Sequence, residues 1–205
     1  MDIARIRAET PCRQVYLDHT AASVPPLPVL KAARTYLDEI GEAGPKDFAL
    51  IEKHYRALEE TRSAIARLVN ARSASTIALF PSGSDAISAV AGAIDWAEGD
   101  EIILSEAEMI SNVAPWLRLR DRLGVVVLVA PIRPPGLIDV DAVRRLVTRR
   151  TKLISITHVP NTLGVVQPLE EVGRIAREAE VLFLVDAAAS VGVVPVDVNR
   201  LGCHL

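Results

Sequence analysis

Short apolar runs that recur along the chain, each leading into a stretch of helical spacing, constrain this sequence more than any other feature. Runs of strand length stand at QVYL (14–17), TIALF (76–80), EIILS (101–105), GVVVLVA (124–130), KLISITHV (152–159) and VLFLV (181–185). Between most of them lie helical stretches: 50–69, where Ile51, Leu58, Ile65 and Leu68 return near helical spacing, then 84–95, 113–122, 139–148 and 168–179. Several runs are apolar on both faces, which suits strands covered from both sides. The alternation therefore predicts a three-layer α/β/α sandwich around a mostly parallel sheet. PIRPPG (131–136) reads as a Pro-rich turn and EAGPKD (42–47) as a loop between two N-terminal helices. Neither marks a boundary, so the chain reads as one domain over 1–205, with an N-terminal segment (1–45) leading into an α/β core (46–205).

A chain of 205 residues that is 50% apolar can bury a substantial core. Its formal net charge is −3, and Lys and Arg come in ones and twos, so it has no basic stripe for nucleic acid. Asp2, Arg5, Arg7 and Glu9 interrupt any secretory apolar core, and no uncharged run approaches membrane-spanning length. A cytoplasmic protein with no nucleic-acid or membrane partner is the expectation. Cys12 and Cys203 lie far apart without metal-ligand neighbours and read as reduced thiols.

In an open parallel sheet, ligands bind beyond the carboxyl ends of the strands, and four of those ends carry polar groups. After 76–80 come Ser82, Gly83, Ser84 and Asp85, where a Ser/Gly turn opens an Ala-rich helix. Free N–H groups there can hold an anion, and the same residues also make an ordinary N-cap. After 181–185 comes Asp186, an acid at the mouth of an apolar strand that needs a cation or strong donors beside it. A protonated heteroaromatic nitrogen, a salt bridge or a helix cap would each serve. Ala187, Ala188, Ala189 and Ser190 leave room for a flat ligand, or form a tight packing joint. After 152–156, PNTLG turns the chain so that Asn161 can reach a cleft as a neutral donor. His158 beside it, like His19 and His54, reads first as a structural histidine.

Taken in order, YLDHTAAS, FPSGSDAIS, SEAEMISNVAPW, ISITHVPNTLGVVQPLEEV and VLFLVDAAASVGVVPVDVNRLGC resemble the large domain of the class V aminotransferases. These are fold-type I pyridoxal phosphate enzymes that include cysteine desulfurases and isopenicillin-epimerase-like proteins. The resemblance implies pyridoxal 5'-phosphate as cofactor, an amino acid as substrate, and chemistry of the aminotransfer, C–S lyase or epimerase type. It implies that Asp186 pairs with the pyridine nitrogen and that Gly83 and Ser84, with Asp85, hold the phosphate. Asn161 would bond the phenolic oxygen or the substrate carboxylate, Met109 would lie over the ring, and Ala188 would line the cofactor. His19, Ala21 and Ala22 would line the substrate end, and the assembly would be a homodimer.

The resemblance has three departures. Many desulfurases carry a histidine where this chain has Met109, which packs on a ring but moves no proton. Ala189 stands where the family often has Gln or His. The family's Schiff-base lysine follows the ring-binding aspartate, and no lysine follows Lys152 here, so no residue of this chain is assigned as catalytic. Lys31, Lys46, Lys53 and Lys152 match no family position, and Cys203 is not a nucleophile. The expectation is the N-terminal part of such an enzyme, truncated or split, without the small domain and with the lysine supplied by the missing segment; the partner is a second copy or a complementing C-terminal polypeptide. The alternatives are a lysine-less cofactor-binding or dimerising subunit, a decayed remnant, or a binder of some other phosphate compound.

Overall fold

In the computed structural model, which describes residues 2–205, the N-terminal part holds α1 (Ile3–Glu9), α2 (Leu27–Ala43) and the start of α3 (Phe48–Leu68). The chain divides inside α3 into two compact units, one ending at Thr61 and the other spanning Arg62–Leu205. In the first unit α2 stops at Gly44, whose φ of +84° favours a residue without Cβ. The predicted loop follows, and Asp47 accepts the Leu50 N–H at 2.9 Å to start α3. Glu39 of α2 takes Lys53 and His54 of α3, and Tyr36 lies against His54 with ring centroids 4.6 Å apart. The strand expected at 14–17 does not form. Val15 and Leu17 are 89% and 86% exposed and have no ladder partner among the described residues.

The second unit continues with α4 (Gly83–Ala93), β1 (Glu101–Ser105), α5 (Ala114–Leu123) and β2 (Val126–Ala130). A two-stranded hairpin, β3 (Ile132–Arg133) and β4 (Leu137–Ile138), frames the predicted Pro-rich turn. Then come α6 (Val140–Leu146), β5 (Thr151–Thr157), α7 (Leu169–Glu178), β6 (Leu182–Asp186) and α8 (Val198–Leu201). The sheet is wholly parallel in the order β2-β1-β5-β6, as the apolar runs predict. The exception is 76–80, where Ile77 is extended but the segment pairs with no strand among the described residues, leaving Leu79 and Phe80 exposed. An apolar run becomes a strand only where a neighbour completes its hydrogen bonds.

Alternation along the strands sorts side chains into two cores. Ile102, Leu104, Leu153 and Leu184 pack with Ile87 and Ala91 of α4 and Trp116 of α5. Ile103, Ile154, Ile156 and Phe183 pack with Val143 of α6 and with Leu169, Val172, Ile175 and Ala176 of α7. Each fully buried large side chain, such as Phe183, contributes about 2–3 kcal/mol by removal from water. Gly173 lets α7 approach the α8 turn: a Cβ there would stand 1.9 Å from the Leu201 carbonyl oxygen. Asn70, at φ +55°, donates to Asp197 at 2.9 Å, while Asp197 caps α8 through Asn199 N and Arg200 N. These donors, Asn70 first, hold the Asp197 carboxyl below the ordinary range.

Candidate functional site

The parallel ladders bring the carboxyl ends of β1 and β2 together at Ser105 and Ala130, and those of β5 and β6 at Thr157 and Asp186. Asp186 has the same strand parity as Leu184, so it belongs to the face that α4 and α5 cover. Its Oδ1 accepts the Ala188 N–H at 3.0 Å, and its Oδ2 has no hydrogen-bond partner among the described residues. Asp186 is half-buried and Ala188 exposed, so the free carboxylate oxygen meets an open edge beside a small residue.

At α4 the N-cap is formed, and two backbone donors beside it stay unengaged. Ser82 Oγ accepts the Asp85 N–H at 3.1 Å and donates to Asp85 Oδ2 at 2.7 Å, so Asp85 is engaged in the cap itself. The N–H groups of Gly83 and Ser84 have no acceptor among the described residues. A Cβ on Gly83 would meet nothing within 4 Å. Two free donors at the positive end of an 11-residue helix thus face open space, an arrangement that attracts an anion.

The segment after β5 is pinned rather than free. His158 N donates to Asp186 O at 2.8 Å, and His158 Nδ1 stands 3.0 Å from the buried Ser190 Oγ. Ser190 directs its one proton to Ala187 O at 3.1 Å, which assigns the Nδ1 proton to His158. Burial pushes His158 below the usual imidazole range, so it is a neutral donor holding the Ala187–Ser190 turn. Gln167 N closes the loop on His158 O at 2.9 Å; its side chain accepts Ile138 N and donates to Gly136 O. Asn161 rides on this anchored loop, exposed and with an unengaged side chain among the described residues.

Beyond β1, Met109 is half-buried and starts the short 3-10 turn Ile110–Asn112, which packs against α4. Just before it stands Glu108, which sequence reasoning passed over. Its carboxylate accepts from Ser105 Oγ at 2.6 Å, Asn112 Nδ2 at 2.7 Å and Thr157 N at 3.0 Å. Asn112 in turn accepts from Ser155 Oγ at 2.6 Å and Trp116 Nε1 at 3.2 Å. Burial raises the Glu108 carboxyl above its ordinary range against these donors, and the Asp186 charge adds to the rise. The only sequence signal was a second acid, two residues after Glu106, in a turn that begins at the end of an apolar strand.

His19, Ala21 and Ala22 belong to the N-terminal unit, where they form an exposed, self-tied turn. The Tyr16 hydroxyl lies 2.6 Å from Ala22 O, Asp18 accepts the Ala21 N–H, and the Tyr16 and His19 rings meet edge-on. Cys203 is a free thiol whose burial raises it above the usual range, the opposite of an activated nucleophile. No helix among the described residues is long and apolar enough to cross a membrane.

The family model for aminotransferase class-V matches residues 15–205. The sequence is 39% identical, over 92% of this chain and 47% of the relative, to a probable cysteine desulfurase from Methanothermobacter thermautotrophicus. The structure resembles the cysteine desulfurase CsdA from Escherichia coli, with a TM-score of 0.86 and 29% identity, covering 99% of this chain and 53% of that one. A C-DES mutant with glycine covalently linked to its PLP cofactor shares the fold, with a TM-score of 0.86 at 24% identity, covering 96% of this chain and 53% of that one. The chain spans about half the length of the relatives it matches.

Proposed function

We propose that this chain, which belongs to the class-V aminotransferase family, supplies the pyridoxal phosphate cradle of an enzyme that acts on a small amino acid. One observation carries the reading. An unengaged Asp186 oxygen at the end of β6 and two unengaged N–H groups at the start of α4 belong to the same face of one parallel sheet. The first suits a protonated ring nitrogen and the second a phosphate, and the open space above Gly83 leaves room for the group. When bound, pyridoxal phosphate supplies an electron sink for a carbanion at the substrate α-carbon.

The residues then divide the work. Gly83 and Ser84 hold the phosphate, with Asp85 fixing the helix start through Ser82. Asp186 keeps the ring nitrogen protonated, and Ala188 admits the flat ring. Met109 would pack against the bound ring, where its thioether would exclude water and carries no proton to transfer. Asn161 donates to the phenolic oxygen or to the substrate carboxylate. His19, Ala21 and Ala22 belong to the substrate end, and a homodimer in the cytoplasm is the setting.

The resemblance puts the covalent amine after Asp186, and the lysines of this sequence all precede it. Lys31, Lys46 and Lys53 belong to the N-terminal unit, and Lys152, at the start of β5, is paired with Asp100 at 2.8 Å. Lys152 thus stands at the amino end of the sheet, opposite Asp186. Turnover would then need a lysine beside these residues. The same observation favours a second reading, a chain that binds the cofactor or dimerises without turnover. Titrating pyridoxal phosphate into the protein, followed by absorbance and fluorescence, tests the cradle common to both. Asp186→Ala is expected to weaken binding about tenfold, the size of one charge-assisted contact. Unchanged binding in that variant would remove Asp186 from the site.

A further inference from the structure

We propose that Glu108 is a positioning residue of the cradle: it ties the carboxyl ends of β1 and β5 together and acts as a second anion behind Asp186, so that the site prefers a cationic ring to a neutral one of the same shape. The inference rests on the cofactor reading above and deepens it. Its ground is the way three strands share one residue. Thr157 N donates to both Glu108 oxygens at 3.0 Å, while Thr157 is the register partner of Asp186 and sets its hydroxyl 3.4 Å from the Asp186 carbonyl oxygen. Neighbouring strands lie about 4.8 Å apart, so the two acids flank a single position.

The hydrogen-bond directions favour the ionised form of Glu108, in opposition to the burial that raises its carboxyl. Trp116 Nε1–H can only donate, so Asn112 turns its oxygen to Trp116 and Ser155 and its Nδ2 to Glu108. Ser105 Oγ–H and the Thr157 N–H also donate to Glu108. All its partners are donors, the set a carboxylate accepts and a carboxamide cannot. The paired ladder of β1 and β5 ends at Ile103 and Ile154, so Glu108 also satisfies a β5 donor that lies beyond it.

The other titratable groups at this edge are turned elsewhere. Glu106 accepts Ile132 N, Asp85 is held by Ser82, and His158 is neutral against Ser190. No lysine or arginine pairs with Glu108 among the described residues. The negative charge of Glu108 is therefore left to act on the Asp186 side of Thr157. Met109, the next residue, accepts the N–H of Asn112, itself a partner of Glu108, at 2.9 Å.

The test compares pyridoxal phosphate with its carbocyclic analogue, in which the ring nitrogen is a C–H, by titrating each into the protein. The unsubstituted chain is expected to bind pyridoxal phosphate more tightly. Glu108→Gln should cut that preference about fivefold, weakening the binding of pyridoxal phosphate more than that of the analogue. An equal loss for both ligands would make Glu108 merely structural and overturn the inference, as would an undiminished preference. No preference in the unsubstituted chain would defeat the cofactor reading and this inference with it.

A ligand-free measurement covers the case in which Glu108→Gln does not fold. A carboxyl raised on folding holds its proton more tightly in the native state, so stability should fall as pH rises above the ordinary glutamate range and level off beyond the native value. Asp186→Asn should move the end of that fall to lower pH in urea unfolding. An unchanged profile would show that the two acids share no field.

Discussion

Along the carboxyl edge of the sheet, the ends of β5 and β6 and the start of α4 handle their polar groups in opposite ways. Around Thr157 and His158, side chains are committed to one another: Glu108 to Asn112, Asn112 to Trp116 and Ser155, His158 to Ser190. At α4, the Ser82–Asp85 cap is closed while the Gly83 and Ser84 N–H groups stay open. The first region is a floor whose geometry is set when the chain folds. The second, the socket, keeps two backbone donors open after the chain has folded. A site that must hold a ligand in one orientation needs both, because a satisfied network does not re-form around each guest.

Asn112→Ala should break this contrast most severely. Asn112 is fully buried and joins three partners, so its loss leaves the Trp116 indole N–H and the Ser155 hydroxyl without an acceptor and takes a donor from Glu108. Destabilisation of about 3 kcal/mol is expected in urea unfolding, the cost of orphaning more than one buried polar group. A loss below about 1 kcal/mol would mean that the floor is as adaptable as the socket.

The floor was nearly invisible in the sequence, whereas the sheet beneath it was not. The runs at 101–105, 124–130, 152–159 and 181–185 became β1, β2, β5 and β6 because each is apolar and each found a parallel neighbour. Those at 14–17 and 76–80 look alike in composition and found none among the described residues. Apolarity states a preference for burial, while a strand requires a partner that a local pattern does not name. The α4 cap was legible because Ser82 to Asp85 is a local signal. Glu108, Asn112 and Ser155 come from segments as much as 47 residues apart in number, joined only when the strands align.

A pH profile separates the two acid–base members of the floor. Burial lowers the folded-state affinity of His158 for a proton, so the unfolded chain binds more protons just below the ordinary imidazole value of 6.5. The stability it protects is complete above that value and falls as pH drops through the native one. Glu108 acts with the opposite sign, losing stability as pH rises. His158→Gln should therefore flatten the acid side of the profile in urea unfolding between pH 7.5 and 5 and leave the Glu108 slope in place. An acid-side fall that survives the substitution would assign it to another group.

Gly83→Ala is expected to have the smallest effect, and it addresses the socket alone. The position has no positive φ, and an added Cβ meets no atom within 4 Å, so alanine at the first turn of α4 fits without strain. Stability should stay within about 0.5 kcal/mol and shift in the favourable direction, since alanine leaves the unfolded chain fewer conformations to lose. The methyl group would nevertheless stand beside the free N–H groups. Binding of pyridoxal phosphate, and of inorganic phosphate as a probe of the helix start, should weaken by roughly threefold. A variant that is destabilised by more than about 1 kcal/mol would reveal packing at Gly83 and make the socket another piece of floor. One that binds both anions as before would leave the open space real but put the phosphate elsewhere on the α4 terminus, with Ser84 N–H as its remaining donor.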